Sequence, residues 1–566
     1  MLAEIENPSG ADATATSLNV SPIDVTRVLA VAGTAALESC GGGGGSSSAS
    51  GSAPVSAADA SRFLGQASMG ASRAQISRVQ AIGYAAWLDE QFDMPSSGTR
   101  WDWLVANGFS DPSHKNDEAG FDSAAWIKLL TSPDTLRQRV TLALSEIFVA
   151  AIDGLIGGGW KQFGAAVYLD LLEANAFGNH RTLLQQISLS VPMGEFLTFR
   201  GSAKANATTG ALPDENYARE LMQLFTIGLV QLNPDGSPRL SGGNPIDTYG
   251  QADITGLARV FTGWDFDPAG LTGAAITATP DFMRRPMVQT GTRYEAGAKS
   301  FLGTTIASDT PAAQSLSLAL DALFAHANTG PFLSRQLIQR LVTSNPSPAY
   351  VARVAAVFGN DGSGARGNLR AVVRALLLDD EARNPANAAS TSFGKLREPM
   401  LRFAAWARAY GVTSPSGAWA IGNTSDPATR LAQSPLRSPS VFNFFRPGYV
   451  PPNSALGSAS LEAPEFQIAN ESSVVGYVNY MQRAVAGNVA DLTPDYSTLL
   501  PVADDANALV AEINLVLAAN QLSASTTAAL ATALQSIPGG TDPNRLKRIH
   551  AALVLVLAAP EFIVQK

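Results

Sequence analysis

The spacing of apolar residues after position 55 is typical of amphipathic helices. In 72–92 (SRAQISRVQAIGYAAWLDEQF) apolar residues recur three and four positions apart, and Ser72 stands where an N-cap is expected. The same spacing predicts helices at 57–66, 134–149, 163–177, 181–197, 312–327, 332–343, 348–358, 369–379, 396–410, 464–485, 505–519 and 544–564. Pro192 interrupts the 181–197 helix. The 272–303 segment lacks a helical period, so we expect the few strands there.

These helices follow one another without a second linker, and no repeat of roughly 20–50 residues separates them. The sequence therefore predicts a mainly α fold, a large single-domain array of many helices at 56–566 with a few short strands and long ordered loops. The longest loop is predicted at 434–454, which contains nine Pro or Ser residues and four aromatic residues.

Residues 1–55 have a different pattern. A mainly apolar run of ten residues at 28–37 is followed by Cys40 and by a Gly/Ser run at 41–48. A short apolar run, a Leu three residues before a Cys and a flexible tether are typical of a lipoprotein signal and its linker. Glu38 is unusual in such a signal, and 1–25 carries four acidic residues without Lys or Arg, so we expect translation to start near Val25.

These features predict that Cys40 is lipidated and that the protein is exported. Its expected location is the periplasm, the outer membrane as an anchored protein, or the extracellular space. The lipid on Cys40 would be its only attachment to a membrane. The alternative is an unstructured tail that contains a Cys by chance.

The composition of the chain excludes several classes of function. The chain of 566 residues has a formal net charge of −9 and a pI of about 5.1, so it lacks the basic field that holds nucleic acid. The one Cys excludes a Cys-based zinc site and an internal disulfide, and no metal site is predicted from the four scattered His residues. No nucleotide-binding or serine-hydrolase motif is present, and the cofactor is unknown.

The densest cluster of charged residues is at 213–228 (PDENYARELMQLFTIG). Glu215 and Arg219 are four residues apart, as are Asn216 and Glu220, so each pair shares one face of a helix. In a functional interpretation Glu215 and Glu220 are acid, base or hard-metal ligands, and Arg219 binds an anion or tunes a carboxylate. In a structural interpretation the same residues cap the helix, with Asp214 as the N-cap, and form ion pairs.

Three further segments carry candidate residues. In 258–264 (ARVFTGW), Trp264 is either a stacking platform for a sugar ring or a core residue behind a helix end at Gly263. His326, in 326–332 (HANTGPF), is a candidate binding residue or a helix-end His. The loop 433–449 (QSPLRSPSVFNFFRPGY) either forms the wall of a pocket or crosses the helical core as a strap. Its candidate binding residues are Arg437, Asn443 and Arg446.

These segments, together with 294–303 (YEAGAKSFLG), resemble the bacterial family known as domain of unknown function 1800. The resemblance extends from about Ser56 to Lys566, and the motifs occur in the expected order. Members are typically exported, and many are encoded beside a sulfatase-like protein. The resemblance therefore implies a role in the metabolism of the envelope or of an extracellular polymer.

Two functions remain open at this point. The first is an exported hydrolase or lyase acting on an extracellular polymer, with Glu215, Glu220 and Arg219 as catalytic residues and Asn216 and Trp264 in support. The second is a non-catalytic envelope protein that binds a partner enzyme, such as a co-exported sulfatase-like protein, or a polysaccharide. An enzyme requires a carboxyl group with a perturbed pKa in an open cleft, whereas a binding protein is expected to expose an apolar patch near the 434–449 loop.

Overall fold

Helices dominate the part of the chain, residues 54–566, that the computed structural model describes. Cys40 and the predicted signal and tether lie outside these residues, except for the last two positions of the 1–55 region. The first ten helices are α1 (Ala57–Ala67), α2 (Arg73–Asp93), α3 (Arg100–Ala106), α4 (Phe121–Thr131), α5 (Thr135–Ile147), α6 (Lys161–Ala174), α7 (His180–Leu189), α8 (Val191–Phe196), α9 (Asn216–Glu220) and α10 (Gln251–Ala258).

The remaining helices follow in the second half of the chain. They are α11 (Ala312–Ala325), α12 (Thr329–Leu341), α13 (Pro348–Gly359), α14 (Leu369–Leu378), α15 (Asp380–Arg383), α16 (Pro385–Ala388), α17 (Pro399–Ala409), α18 (Ala455–Ser458), α19 (Glu471–Val485), α20 (Ala506–Ala518), α21 (Ala524–Gln535), α22 (Asp542–Ala558) and α23 (Pro560–Ile563). Among residues 54–566, no helix is long and apolar enough to span a membrane.

The strands are short and form four separate antiparallel pairs. They are β1 (Leu240–Ser241) with β2 (Asn244–Pro245), β3 (Trp264–Asp265) with β4 (Val288–Gln289), β5 (Lys299–Phe301) with β6 (Thr304–Ile306), and β7 (Lys395–Leu396) with β8 (Val564–Gln565). The mainly α fold with a few short strands is thus confirmed.

Local sequence signals explain where several helices begin and end. The Ser72 side chain caps α2 by accepting a hydrogen bond from the backbone N–H of Gln75, as the sequence predicts. The helix is kinked at Gly83, whose φ of 78° lies in the left-handed region. The predicted 181–197 helix divides at Ser190, and Pro192 lies in the first turn of the second part, α8.

Other elements differ from the prediction. The 272–303 segment contains β4 and β5, but helical turns at Gly273–Thr277 and Pro280–Arg284 fill much of the rest. The helices α3, α4 and α21 were not predicted. The Ala/Thr-rich sequence of α21 has few large apolar residues, so its helical period is weak in the sequence.

Two groups of buried apolar side chains form the interior. One is built mainly from the helices α1 to α14, and the other mainly from α17 and α19 to α22. The helix α5 is buried along nearly its whole length and packs against α1, α2, α4, α6 and α12. Polar groups on α5 are therefore removed from water and need partners from neighbouring elements.

A long segment between α17 and α18 contains no helix or strand. This segment includes the predicted 434–454 loop, whose ordered and irregular conformation is confirmed. Its residues range from buried to exposed, and Leu436 belongs to the first group of buried side chains, so the loop packs onto the helices and contributes to their core.

Candidate functional site

The start of α9 is a polar surface feature. The α9 helix begins at Asn216, one residue later than an N-cap at Asp214 would give, although the Asp214 carboxylate does accept the Asn216 backbone N–H at 2.8 Å. Asp214 also accepts a hydrogen bond from Thr198 at 2.8 Å. Asn216 is exposed and donates to the Thr198 hydroxyl at 3.4 Å. These contacts join the helix start to the loop after α8.

Glu215 and Arg219 form the predicted pair on one helix face, with 3.4 Å between the Arg219 Nη2 and Glu215 Oε2 atoms. The Glu215 carboxylate also accepts hydrogen bonds from Gln251 at 2.8 Å and Thr255 at 2.7 Å, both on α10. Both oxygens of Glu215 are therefore used in packing α9 against α10. This matches the structural interpretation of the motif.

Glu220 differs from Glu215 because it is buried, with 7% exposure, and its Oε2 atom has no hydrogen-bond partner among the described residues. Burial raises its pKa, and the nearby Arg219 guanidinium opposes the rise. Burial and the Glu220 charge together raise the pKa of Tyr249 to about 12. The Tyr249 hydroxyl lies 3.5 Å from Gln223 Oε1, on the turn that follows α9.

Trp264 and His326 occupy structural positions. Trp264 is 5% exposed, and its indole N–H donates to the Val260 carbonyl at 3.2 Å, so its ring lies in the core behind the left-handed Gly263. His326 follows the last residue of α11, and its Nδ1 accepts the Asn328 backbone N–H at 3.1 Å. Burial lowers the pKa of His326.

The loop residues have three different environments. Arg437 binds Glu118 at 2.5 Å and Asp122 at 2.9 Å, and these ion pairs tie the loop to α4 and the turn before it. Arg446 is exposed and stacks on the Phe442 ring, with 4.7 Å from its Cζ atom to the ring centroid. Asn443 is buried, with 7% exposure. The binding and catalytic roles given to all nine residues stay predictions.

The largest mainly apolar cavity among those we describe has a volume of about 570 Å³, and we refer to it as the Glu146 cavity. Its inner end is formed by the buried residues Glu146 and Ile147 at the end of α5. One wall is α12, through Phe332 and Gln336, and another is the loop, through Phe442. The volume is within the range of about 300–1,000 Å³ that small-molecule sites occupy.

A third wall follows directly from the charge-dense motif. After Glu220 the helix widens into a π-helical turn at Leu221–Thr226, and Gln223 and Leu224 of this turn line the Glu146 cavity. Short π-helical turns are rare and are often found at functional sites. The motif therefore reaches the cavity through its apolar end, while its charged end lies elsewhere.

Asn328 holds the chain that forms the rest of this wall. Its buried amide donates to the carbonyls of Ile227 at 2.7 Å and Val230 at 2.8 Å, and its Oδ1 accepts the backbone N–H of Leu232 at 2.9 Å. Val230 and Leu232 line the Glu146 cavity. The 326–332 motif thus contributes through Asn328, a positioning residue that the sequence interpretation missed in favour of His326.

Glu146 is the buried ionisable group of the Glu146 cavity, with 5% exposure. Burial and the Glu398 carboxylate, which shares a hydrogen bond with it, raise the pKa of Glu146 well above its usual range. Arg340, 3.1 Å from Glu146 Oε2, and Lys395 act in the opposite direction but more weakly. Because two carboxyl groups in contact do not both ionise readily, these effects together favour the protonated form of Glu146.

Glu398 is stabilised as the ionised partner in this pair. Although its burial favours the neutral form, the hydrogen bond from Glu146 and the charges of Lys395 and Arg139 lower the pKa of Glu398. The Gln433 side chain also donates to Glu398 at 2.7 Å. These groups come from α5, β7, the start of α17 and the long loop, so the buried polar cluster joins elements that are distant in sequence.

A second carboxyl group lines the Glu146 cavity. Glu462 accepts hydrogen bonds at Oε2 from Arg335 at 2.8 Å and from Gln339 at 2.6 Å, both on α12. Charge-assisted hydrogen bonds of this kind are stronger than those between neutral groups. The cavity therefore combines a buried carboxyl group whose pKa is raised, Glu146, with a carboxyl group that is bound by Arg335, Glu462.

The sequence contained one signal for Glu146. It is the single charged residue in the run 140–152 (VTLALSEIFVAAI), so a helical prediction alone would have buried it. Glu462 gave no comparable signal, because it lies in an irregular segment and its partners are distant in sequence. Among residues 54–566, no group of three or more His, Cys, Asp or Glu residues is placed to hold a metal ion.

The fold and the cavity define a class of protein: a large α-helical protein with a mainly apolar cavity that ends at a buried carboxyl pair. A family model described as "Protein of unknown function (DUF1800)" matches residues 62–564, so the chain belongs to this family. No curated protein and no solved structure matches the chain.

Proposed function

We propose that the Glu146 cavity is the active site of an acid–base enzyme, a hydrolase or lyase that acts on an extracellular polymer. Glu146 is the proton donor and Glu462 the base. The observation that carries this proposal is the pairing, in one cavity, of a buried carboxyl group whose pKa is raised, Glu146, with a second carboxyl group, Glu462, that is bound by Arg335. Two carboxyl groups in different environments can divide the roles of acid and base between them.

In the hydrolytic reaction the Glu146 proton moves to the oxygen of the leaving group as the C–O bond breaks. Glu462 takes a proton from the water whose oxygen forms the new bond to carbon, and exchange with solvent restores both groups. In the elimination reaction Glu462 removes a proton from the carbon next to the C–O bond, and no water is added. Glycosidic bonds are the class of linkage that such a carboxyl pair cleaves most commonly.

The size and lining of the cavity favour a terminal or branching unit of a polymer over a long internal segment, because its volume is about 570 Å³. The Phe332 and Phe442 rings can contact the apolar face of a sugar ring. The Gln223 and Gln336 amides also line the cavity, and each makes only one long contact of 3.5 Å within the protein, so they can bind its hydroxyl groups.

The test is to compare the wild type with Glu146→Gln on a panel of extracellular polysaccharides and their oligomers. A Gln amide can donate to Glu398 as the protonated carboxyl group does, so the melting temperature should be kept. It cannot transfer a proton, so we expect turnover to fall by about 10²–10⁴-fold.

The matched control is Glu215→Gln, which makes the same chemical change at the exposed start of α9. We expect this variant to keep wild-type turnover. Full turnover in Glu146→Gln would contradict the proposal, and a loss confined to Glu215→Gln would move the active site to the α9 motif.

One observation favours the second candidate function, binding without catalysis. Leu229, on the rim of the Glu146 cavity, is 57% exposed and lies on the same cavity as Phe442. An exposed apolar residue beside an apolar cavity is typical of a binding surface for a polysaccharide or a partner protein such as a co-exported sulfatase-like enzyme. Leu229→Asp would then abolish binding, whereas Glu146→Gln would leave it unchanged.

We also infer that the protein is exported and anchored through Cys40. The apolar run at 28–37, the Gly/Ser run at 41–48 and the presence of one Cys in the chain support this inference. Expression in a bacterium supplied with an alkyne-labelled fatty acid should label the wild type and not Cys40→Ser, with Ser39→Ala as the labelled control. Unlabelled wild-type protein in the cytoplasm would contradict it.

A further inference from the structure

A second, much smaller cavity lies on the other side of Glu146. Its volume is about 20 Å³, and Glu146, Ser438 and Asn443 are among the residues that line it. Glu146 therefore lines both this small cavity and the Glu146 cavity. A space of roughly 10–15 Å³ or more is enough for one water molecule.

The polar atoms around the small cavity need a common partner. The Ser438 Oγ and the Asn443 Nδ2 are buried and have no hydrogen-bond partner among residues 54–566. The Glu146 carboxyl group meets Arg340 and Glu398, but its buried oxygens make no further hydrogen bond with standard geometry. All three residues are less than a tenth exposed. Internal waters are typically bound by about three such groups.

We propose that Glu146, Ser438 and Asn443 bind one internal water in the small cavity, and that this water orients the Glu146 carboxyl group towards the open cavity. Asn443 donates to the water oxygen, and the water donates to the Glu146 oxygen that does not face Glu398. Ser438 completes the site as donor or acceptor. Ser438 and Asn443 are thus positioning residues, and the role given to them rests on the function proposed for Glu146.

The loop conformation explains how one segment serves both cavities. Asn443 has a φ of 63°, a left-handed conformation that Asn tolerates better than most residues. Phe442 lines the Glu146 cavity, and the next residue, Asn443, lines the small cavity. One peptide unit would therefore connect a substrate in contact with Phe442 to the water that binds Glu146.

The charged groups that face Glu146 set the background for a test. They are Arg139 on α5, Arg340 on α12, Lys395 on β7 and Glu398 before α17. None of them lines the small cavity. A substitution of Ser438 therefore changes the hydration of Glu146 and leaves these charges in place.

The first part of the test is a crystal structure of the wild type at atomic resolution. We expect one water within hydrogen-bonding distance of Glu146, Ser438 and Asn443. Density for no water, or for a water bound to none of these side chains, would overturn the proposal.

The second part measures the carboxyl band of Glu146 by infrared difference spectroscopy as a function of pH. For the wild type, the spectrum of Glu146→Gln is subtracted. For the variants Ser438→Val and Ser472→Val, the spectrum of the same variant that also carries Glu146→Gln is subtracted. Ser438→Val fills the small cavity with methyl groups and expels the water, which removes a hydrogen bond to the ionised form. We expect the midpoint for ionisation of Glu146 to rise by about one pH unit. Exposed Ser472→Val is the matched control and should leave it unchanged.

An unchanged midpoint in a folded Ser438→Val protein would overturn the positioning role even if the water is present. If Glu146 is already ionised in the wild type at pH 7, the proposed function fails, whatever the density shows. If Glu146 is protonated and no water is bound, the internal water alone is wrong. The two proposals can thus fail independently.

Discussion

The carboxyl groups of Glu215 and Glu146 each lie at the end of a helix, but in contrasting environments. At the start of α9, the Glu215 side chain is 30% exposed and is bound by Arg219, Gln251 and Thr255. At the end of α5, the Glu146 side chain is 4% exposed and meets one guanidinium and another carboxyl group. The first carboxylate is surrounded by hydrogen-bond donors, whereas burial and a second carboxyl group raise the pKa of the other.

The difference teaches that a high density of charge in a motif and a reactive charge are separate properties. Charges at the start of a helix are stabilised by the helix dipole, by neighbours four residues away and by water. A carboxyl group at the buried end of an apolar helix has none of this support from its own sequence. Its protonation is decided by elements that arrive from elsewhere in the fold, and this makes it the better candidate for chemistry.

The largest difference in stability between the Glu146 cluster and the α9 motif is expected when one arginine is removed from each. Arg340→Met removes a 1% exposed cation from the buried cluster around Glu146, and should lower the free energy of unfolding by about 3–5 kcal/mol. Arg219→Met removes a partly exposed cation from the α9 pair and should lower it by about 1 kcal/mol or less. Urea denaturation of both variants measures the two losses of free energy. Equal losses would contradict the predicted difference between the buried cluster and the α9 motif.

Glu195 sharpens the comparison, because it is buried like Glu146 but belongs to another part of the fold. Burial raises its pKa to about 7, and Arg200, 3.7 Å away, only partly opposes the rise. Its folded-state pKa is thus above the unfolded value. The folded state binds the proton more tightly, so stability is lost as the pH rises from about 4.5 to about 7.

Glu195→Gln should remove this loss. From the pKa difference, we expect the variant to gain up to about 3 kcal/mol in free energy of unfolding relative to the wild type at pH 8, and little at pH 4. Denaturation at the two pH values measures this, with Glu215→Gln as the control at an exposed site. A gain that is equal at both pH values would show that burial does not hold a proton on Glu195.

The smallest effect is expected at Glu215 itself. An exposed ion pair between residues four apart on a helix contributes about 0.3–0.5 kcal/mol, so Glu215→Gln should change the free energy of unfolding by about this amount. The change should shrink further in high salt. A loss of several kcal/mol would mean that the α9 motif holds the fold together as strongly as the Glu146 cluster does.

Local features of the fold were predictable because they depend on neighbours in sequence. Ser72 caps α2, Pro192 begins α8, and Glu215 pairs with Arg219, each as spacing and residue type indicate. The π-helical turn at Leu221–Thr226 was not predictable, because apolar spacing does not distinguish a widened turn from an α-helix.

The candidate site was predictable only in part. The 433–449 loop does form a wall of a cavity, but through Phe442 and its neighbours, whereas Arg437 is bound by Glu118 and Asp122. Glu146, Arg340 and Glu398 meet through tertiary packing of α5, α12 and the segment before α17. No local pattern encodes such a meeting, although the isolated charge of Glu146 in an apolar run marked it as a residue that needs a buried partner.

The most direct test of the account is the protonation state of Glu146 at pH 7. An infrared difference spectrum between the wild type and Glu146→Gln isolates the bands of this one carboxyl group. We expect the wild type to show the carbonyl band of a protonated carboxyl group that the variant lacks. If the variant instead lacks the bands of an ionised carboxylate, Glu146 carries no proton to donate, and the proposed active site is wrong.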